Sequence, residues 1–222
     1  MVLTAKIFRV KEYNPLDIIA DKIRNYSNVE YVDDVELSYS FNDVKLIGDS
    51  LKAYYVFDEA RTLNIKGELK VIPVRREALT LFRDIGGDIL LVVFEKKNRA
   101  NRIANTLSEV LFARVGMIVE AYISHEVLRD IHDSSPESSK VIYFDNVDIP
   151  NINKLALYGE DVRDTSLYNM YLDHGKIWYV VFSHRDTGLI VGITRNLIVT
   201  MFSKISMDDF LDFINKYIIP LI

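Results

Sequence analysis

Apolar and polar residues alternate with a period of two at residues 34–41. Val35, Leu37, Tyr39 and Phe41 interleave there with Asp34, Glu36, Ser38 and Ser40. That period predicts a strand with one buried face and one wet face. Just before it, Leu16, Ile19, Ala20 and Ile23 recur at helical spacing, with Asn14 placed to cap the helix and Pro15 suited to its first turn. The helix should end near residues 26–28. Further strands are expected at about 51–57, 67–74, 78–83 and 88–95, the last two joined by a tight turn at Gly86-Gly87. Residues 89–94 are apolar on both faces, which predicts a central position in a sheet.

A helix is expected over 98–112, because Ala100, Ile103, Ala104, Leu107 and Leu111 form one stripe. A strand at 115–123 and a short helix capped by Ser124 should follow. Residues 133–139, Asp-Ser-Ser-Pro-Glu-Ser-Ser, contain no apolar side chain and read as an exposed linker. Beyond it, short strands are expected near 141–144 and 154–157, then a meander at 176–183, 189–194 and 197–203. A final helix should begin at Ser206, with Asp209 in the reciprocal capping position. The pattern predicts an α+β protein of mainly antiparallel β-meanders with packed amphipathic helices, in two associated halves. These would be an N-terminal half, 1–132, and a C-terminal half, 140–222, joined by the 133–139 linker.

The chain has 222 residues, 49% of them hydrophobic, which is enough to bury a substantial core. It has no cysteine, which excludes disulfides, thiolate metal sites and thiol nucleophiles. The longest apolar run is far short of the roughly 20 residues that a membrane-spanning helix needs, so a cytoplasmic protein with no membrane partner is expected. Charge is unevenly spread. The net charge is −5, yet residues 61–102 carry ten Lys/Arg against five Asp/Glu. A basic segment within an acidic chain can attract an anionic partner such as nucleic acid or an acidic protein.

That segment ends in Lys96, Lys97, Asn98, Arg99, Asn101, Arg102 and Asn105 at the start of the predicted 98–112 helix. Cations there oppose the helix dipole, at a cost of roughly 0.3–1 kcal/mol each, and asparagine is a poor helix former. A bound phosphate would rationalise both features, through free backbone N–H groups, Lys and Arg charge, and Asn amides. Without a ligand, Asn98 would serve as the N-cap while Lys96 and Lys97 pair with carboxylates such as Glu95 or Glu77. Of Arg75 and Arg76, only one can join the same surface, because adjacent strand residues face opposite ways.

Asp84, Asp88, Glu95 and Lys97 lie on one strand–turn–strand stretch, and over about fifteen residues it resembles the PD-(D/E)xK nuclease motif. The resemblance implies two carboxylates that hold Mg²⁺, which activates water and stabilises phosphoryl charge, with Lys97 assisting. The motif's proline is absent, and Asp58 with Glu68-x-Lys70 matches equally well. Glu95 stands seven residues beyond Asp88, roughly 20 Å along a straight strand, which opposes a shared metal ion.

No catalytic residue, metal-ligating set or cofactor-binding motif is otherwise apparent. His125 and His132 are two helical turns apart, too far to chelate one ion. His174 and His184 fall in turns with no nucleophile elbow beside them. Tyr168, Tyr171, Trp178 and Tyr179 form an aromatic group that reads mainly as core, although exposed rings of this kind stack bases or anchor interfaces. The terminal helix, rich in Phe210, Phe213, Ile214 and Tyr217, has apolar surface to spare for a homodimer. The expectation is a non-enzymatic binding or assembly protein, with nucleic acid as the leading ligand. The alternatives are a metal-dependent nuclease and a protein–protein adaptor.

Overall fold

The computed structural model describes residues 2–134, 139–159, 162 and 165–222. The chain is mixed α+β with more strand than helix, and it divides into two compact units, Ile7–Val119 and Met1–Lys6 with Glu120–Ile222. Strand β1 (Leu3–Val10) contributes to both. The expected boundary at 133–139 falls inside the second of these units, and Ser135, Pro136, Glu137 and Ser138 lie outside the described residues.

In the Ile7–Val119 unit, α1 (Leu16–Arg24) precedes five strands: β2 (Ser27–Val32), β3 (Val35–Ile47), β4 (Ser50–Ile65), β5 (Glu68–Ile85) and β6 (Asp88–Val93). Helix α2 (Lys97–Phe112) closes the unit, and the strands lie in sequence order. Ile19, Ala20 and Ile23 of α1 and Ala100, Ile103, Ala104 and Leu107 of α2 pack on Phe41, Tyr55, Phe57, Phe82 and Leu91 of the sheet. The stripes expected for both helices are therefore the buried ones. Pro15, not Asn14, stands at the cap of α1, and no side chain caps it. Strand β6 is buried along both faces from Ile89 to Val93, and Gly86 and Gly87 take the positive φ angles of its hairpin turn.

The main departure from expectation is the β4–β5 hairpin. Its register is unbroken from Ser50 opposite Arg83 to Ile65 opposite Glu68, so the two strands expected at 67–74 and 78–83 are one. Lys66 and Gly67, both at positive φ, make the turn. Pro73 does not break the strand, because β3 leaves β4 at Phe57 and β6 leaves β5 at Thr80. Beyond those points the hairpin is a two-stranded ribbon, where an outward-facing proline nitrogen interrupts no ladder. Strand β2 was also unforeseen: nearly all its residues are exposed, so it carries no burial period for a sequence reader to detect.

In the second unit the elements are α3 (His125–Asp133), β8 (Ser139–Asp145), β9 (Leu155–Tyr158), α4 (Ser166–His174), β10 (Lys176–Ser183), β11 (Ile190–Thr194), β12 (Ile198–Met201) and α5 (Met207–Phe213). They follow the short strand β7 (Ile118–Glu120), which begins before the unit's boundary. The sheet order is β12-β11-β10-β8-β9, with residues 3–6 of β1 pairing β12 on its other side. One face is core: Ile142, Phe144, Val180, Phe182, Val191, Ile193, Val199 and Met201 are all buried. Ser124 caps α3 through Val127, and Ser206 and Asp209 form the reciprocal capping box of α5, both as expected. After Phe213 the helix widens to a π-helical turn, Ile214–Ile218, and ends in a 3₁₀ turn, Ile219–Leu221. Pro220 cannot donate to the Lys216 carbonyl, so the α-helical ladder stops there. Helix α4 was not foreseen. It carries Tyr168 and Tyr171, and the Tyr168 ring is buried against His132 at 4.7 Å. Among the described residues, no helix is long and apolar enough to cross a membrane.

Phe82 is fully buried at the centre of the first unit's core. Phe82→Ala should cost about 3–5 kcal/mol through lost transfer energy and a residual cavity. Urea unfolding of the variant beside the parent protein measures it.

Candidate anion-binding surface

The start of α2 is positioned by β6, whose last residues lead into Lys96 at the cap in extended conformation. Asn98 is not the cap, and no side chain caps this helix. Lys96, Lys97, Asn98, Arg102 and Asn105 are exposed, while Arg99 and Asn101 are partly buried. The expected gathering of Lys96, Arg99 and Arg102 at one helix start is present, but Arg99 and Arg102 are ion-paired with carboxylates of the chain itself, which removes the two arginines as free contacts for an anion.

Their partner is Glu59, from the end of β4. Arg99 grips it with two nitrogens, Nε to Oε1 at 2.8 Å and a terminal nitrogen to Oε2 at 3.2 Å. Arg102 reaches Oε1 at 3.0 Å, Arg61 reaches Oε2 at 3.0 Å, and Arg76 stands at 3.7 Å. Arg99 also contacts Glu95 at 3.4 Å, one helical turn back. Glu59 is only 11% exposed, and its pKa is held down to about 2, chiefly by the hydrogen bond from Arg99 and despite the opposing effect of burial. The carboxylates Glu59 and Glu95 also offset the dipole penalty on cations at this helix end.

Strand alternation explains how the cluster forms. Phe57, Glu59 and Arg61 share one face of β4, and register places Arg76 opposite Phe57 on that face. The neighbouring residues take the other face, where Asp58 accepts hydrogen bonds from Arg75 at 3.2 Å and from the Ser38 backbone and hydroxyl. Its pKa is lowered, first by Arg75. Of the adjacent pair Arg75 and Arg76, therefore, only Arg76 joins the helix surface. Glu59 escaped sequence reasoning. Its one available signal was its place on the alternation that runs from Tyr55 through Phe57 to Arg61.

Around Glu59 and Glu95 stand four arginines, with Lys96 and Lys97 exposed close by, so positive charge remains in excess after every internal pairing. Arg61, Arg99, Arg102 and Glu59 line a cleft of about 610 Å³ together with Glu30, Asp58, Glu109 and the aromatic rings of Tyr26, Tyr39, Tyr55 and Phe57. Burial pushes the Tyr55 hydroxyl pKa up, so it is a neutral group there. The ribbon continues the basic surface outward. The paired span 57–76 holds Arg61, Lys66, Lys70, Arg75 and Arg76 against three acidic residues, Asp58, Glu59 and Glu68. Arg61 and Lys70 share the face of Glu59, together with the exposed Leu63 and Ile65.

The carboxylates of the nuclease-like motif are dispersed. Asp84 accepts hydrogen bonds from Tyr13 and the Gly87 backbone, and Asp88 pairs with Arg9 at 3.4 Å, both at the turn end of β6. Glu95 lies past the far end of that strand beside Arg99. Among the described residues, no group of three His, Asp or Glu side chains is placed to hold a metal ion. His184 is packed against Phe213 and Tyr217, and burial lowers its pKa. No protein-family model matches the chain, and no curated protein matches it.

Glu59→Gln should reduce stability by about 1–3 kcal/mol at neutral pH, since it removes the charge from these hydrogen bonds. Because the folded pKa lies below the ordinary 4.5, Glu59's contribution is complete above about pH 4.5 and lost as pH falls towards 2. Urea midpoints of the parent and Glu59→Gln proteins should therefore converge on acidification through that window.

Proposed function

We propose that the chain is a non-enzymatic nucleic-acid-binding protein that grips the phosphate backbone with its β4–β5 ribbon and the adjoining start of α2. The observation that carries this reading is the ribbon itself. Past Asp58 it has no third strand, it extends for roughly 20 Å, and its residues 59–74 bear three cations, Arg61, Lys66 and Lys70, with two acidic residues, Glu59 and Glu68. A free two-stranded ribbon presents its cations with no covering strand, and Lys and Arg along it supply the sequence-independent part of the affinity. Glu59 supports the reading in a different way. It fixes the arginines in place, so that little side-chain entropy is left to lose on binding. The cations offered to phosphate are then Lys96 and Lys97, together with Arg61 and Lys70, which stay half exposed while paired with Glu59 and Glu68, and Arg99 is their support.

The exposed Leu63, Ile65 and Leu69 favour a second reading, in which an acidic protein segment adds a strand to the ribbon's open edge. The two differ in their response to salt. Anisotropy of a labelled oligonucleotide should show affinity falling steeply between 50 and 200 mM salt. The double variant Arg61→Ala with Lys70→Ala should shallow the log–log slope by about 1.5, because each phosphate contact contributes roughly 0.7–0.9. An unaltered slope would move the contact off the ribbon, and absence of oligonucleotide binding would leave the protein-segment reading.

A further inference from the structure

The second unit's sheet carries, on the face opposite its core, a group of aromatic rings that the basic ribbon does not involve. Register puts Tyr143 of β8 opposite Tyr179 of β10, and Tyr179 opposite Thr194 of β11. The buried residues of these strands, Ile142, Phe144, Val180 and Ile193, are the alternate ones, so Tyr143 and Tyr179 belong to the other face. Trp178 would ordinarily face the core side. A register shift against β8 between Ile177 and Tyr179 turns it to the same side as its neighbour. The Trp178 ring consequently lies 5.7 Å from Tyr143 and 5.8 Å from Tyr179, and Tyr143 lies 5.8 Å from Tyr158 of the edge strand β9.

Tyr158 is exposed, while Tyr143, Trp178 and Tyr179 are half-buried, and two features fix how the rings lie. Tyr179 lies on the bare backbone of Gly192: a Cβ there would stand 2.5 Å from the Tyr179 hydroxyl and 3.0 Å from its ring. Only glycine lets the ring approach the sheet this closely. Tyr158 is 67% exposed, and its hydroxyl is hydrogen-bonded to that of Tyr143, which holds the outer ring in position. The Lys154 ammonium sits 4.9 Å over the Trp178 ring. Arg195 is engaged by Asp145 through two hydrogen bonds, which leaves Lys154 and the exposed Lys176 as cations at the margin.

From this arrangement we infer that the Tyr143–Tyr158–Trp178–Tyr179 surface is a stacking site for unpaired nucleobases of a single strand. Rings spaced 5.5–5.8 Å apart and inclined by 33–69° offer separate π faces to successive bases that are splayed out of a helical stack. The exposed Lys154 is within reach of a phosphate between them. The inference rests on the nucleic-acid reading for its ligand class and narrows that ligand to one with unpaired bases. A neutral oligosaccharide would also stack on such rings, but it has no use for cations at the margin.

Trp178 is the chain's one tryptophan, so its fluorescence reports on this site and no other. Titration of the full chain with oligo(dT) twelve nucleotides long should quench it saturably. Tyr158→Ala should weaken binding about tenfold while Tyr158→Phe retains it, because a phenyl ring still stacks. Tyr158 stands on an edge strand and is exposed, so its replacement leaves the core intact. The ribbon variant Arg61→Ala with Lys70→Ala should reach the same quench at saturation. Binding seen by anisotropy with no quench, or unchanged in Tyr158→Ala, overturns the stacking site and leaves the ribbon reading standing. No binding of any oligonucleotide removes both. Quenching by cellohexaose but not by oligo(dT) overturns the inference in favour of a sugar ligand.

Discussion

The unbroken ladder between β4 and β5 is the constraint on which the first unit depends. Its inner part, from Ser50–Arg83 to Phe57–Arg76, supplies the sheet surface that α1 and α2 cover. Its outer part emerges as a ribbon with no further partner strand. Because side chains alternate strictly along both strands, the register that buries Tyr55, Phe57 and Phe82 also delivers Glu59, Arg61 and Arg76 to the start of α2. A slip of one residue would send all three to the opposite face and expose the core. Core packing and the arrangement of the charged cluster are therefore fixed by one register.

Glu59 converts a repulsive assembly into an ordered one. Four guanidinium groups this close would repel one another, and a carboxylate of low exposure at their centre lets them approach. A buried ion pair of this kind contributes modestly to net stability and strongly to geometry. Asp58, one residue earlier, does the same for Arg75 and Ser38 on the other face. Adjacent carboxylates on an emerging strand thus brace both sides of the ribbon's root.

Much of the fold was legible because its signals are local. The stripes of α1 and α2, the double-sided burial of β6, the glycine turn before it and the caps at Ser124 and Ser206 all appear in the structure as the residue pattern implied. What was missed is what local pattern does not encode. Pro73 reads as a break when the chain is scanned, and it is harmless because of which strands are absent beside it. Helix α4 is short and contributes a single fully buried side chain, Tyr168, so its period is faint. For the charged surface, composition located the cations at Lys96 to Arg102 but could not locate their counter-charge, since Glu59 is some forty residues away in sequence. The aromatic residues were grouped by proximity in the chain. The structure separates Tyr168 and Tyr171 from Trp178 and Tyr179, and a bulge that no periodicity announces selects the face on which Trp178 stands.

The ribbon's two open edges have a bearing on how copies of the chain tolerate one another. Unpaired strand edges that carry Leu63, Ile65 and Leu69 are templates for edge-to-edge growth. Lys66, Lys70 and Arg75 line the same element, so two approaching ribbons meet as like charges, and proline at position 73 removes one donor from an edge. These cations therefore keep the ribbon from adhering to itself. That protection is electrostatic and has a range of about 10 Å at 0.1 M salt. Colloidal behaviour is thus tied to these charges, and concentrated electrolyte weakens the protection.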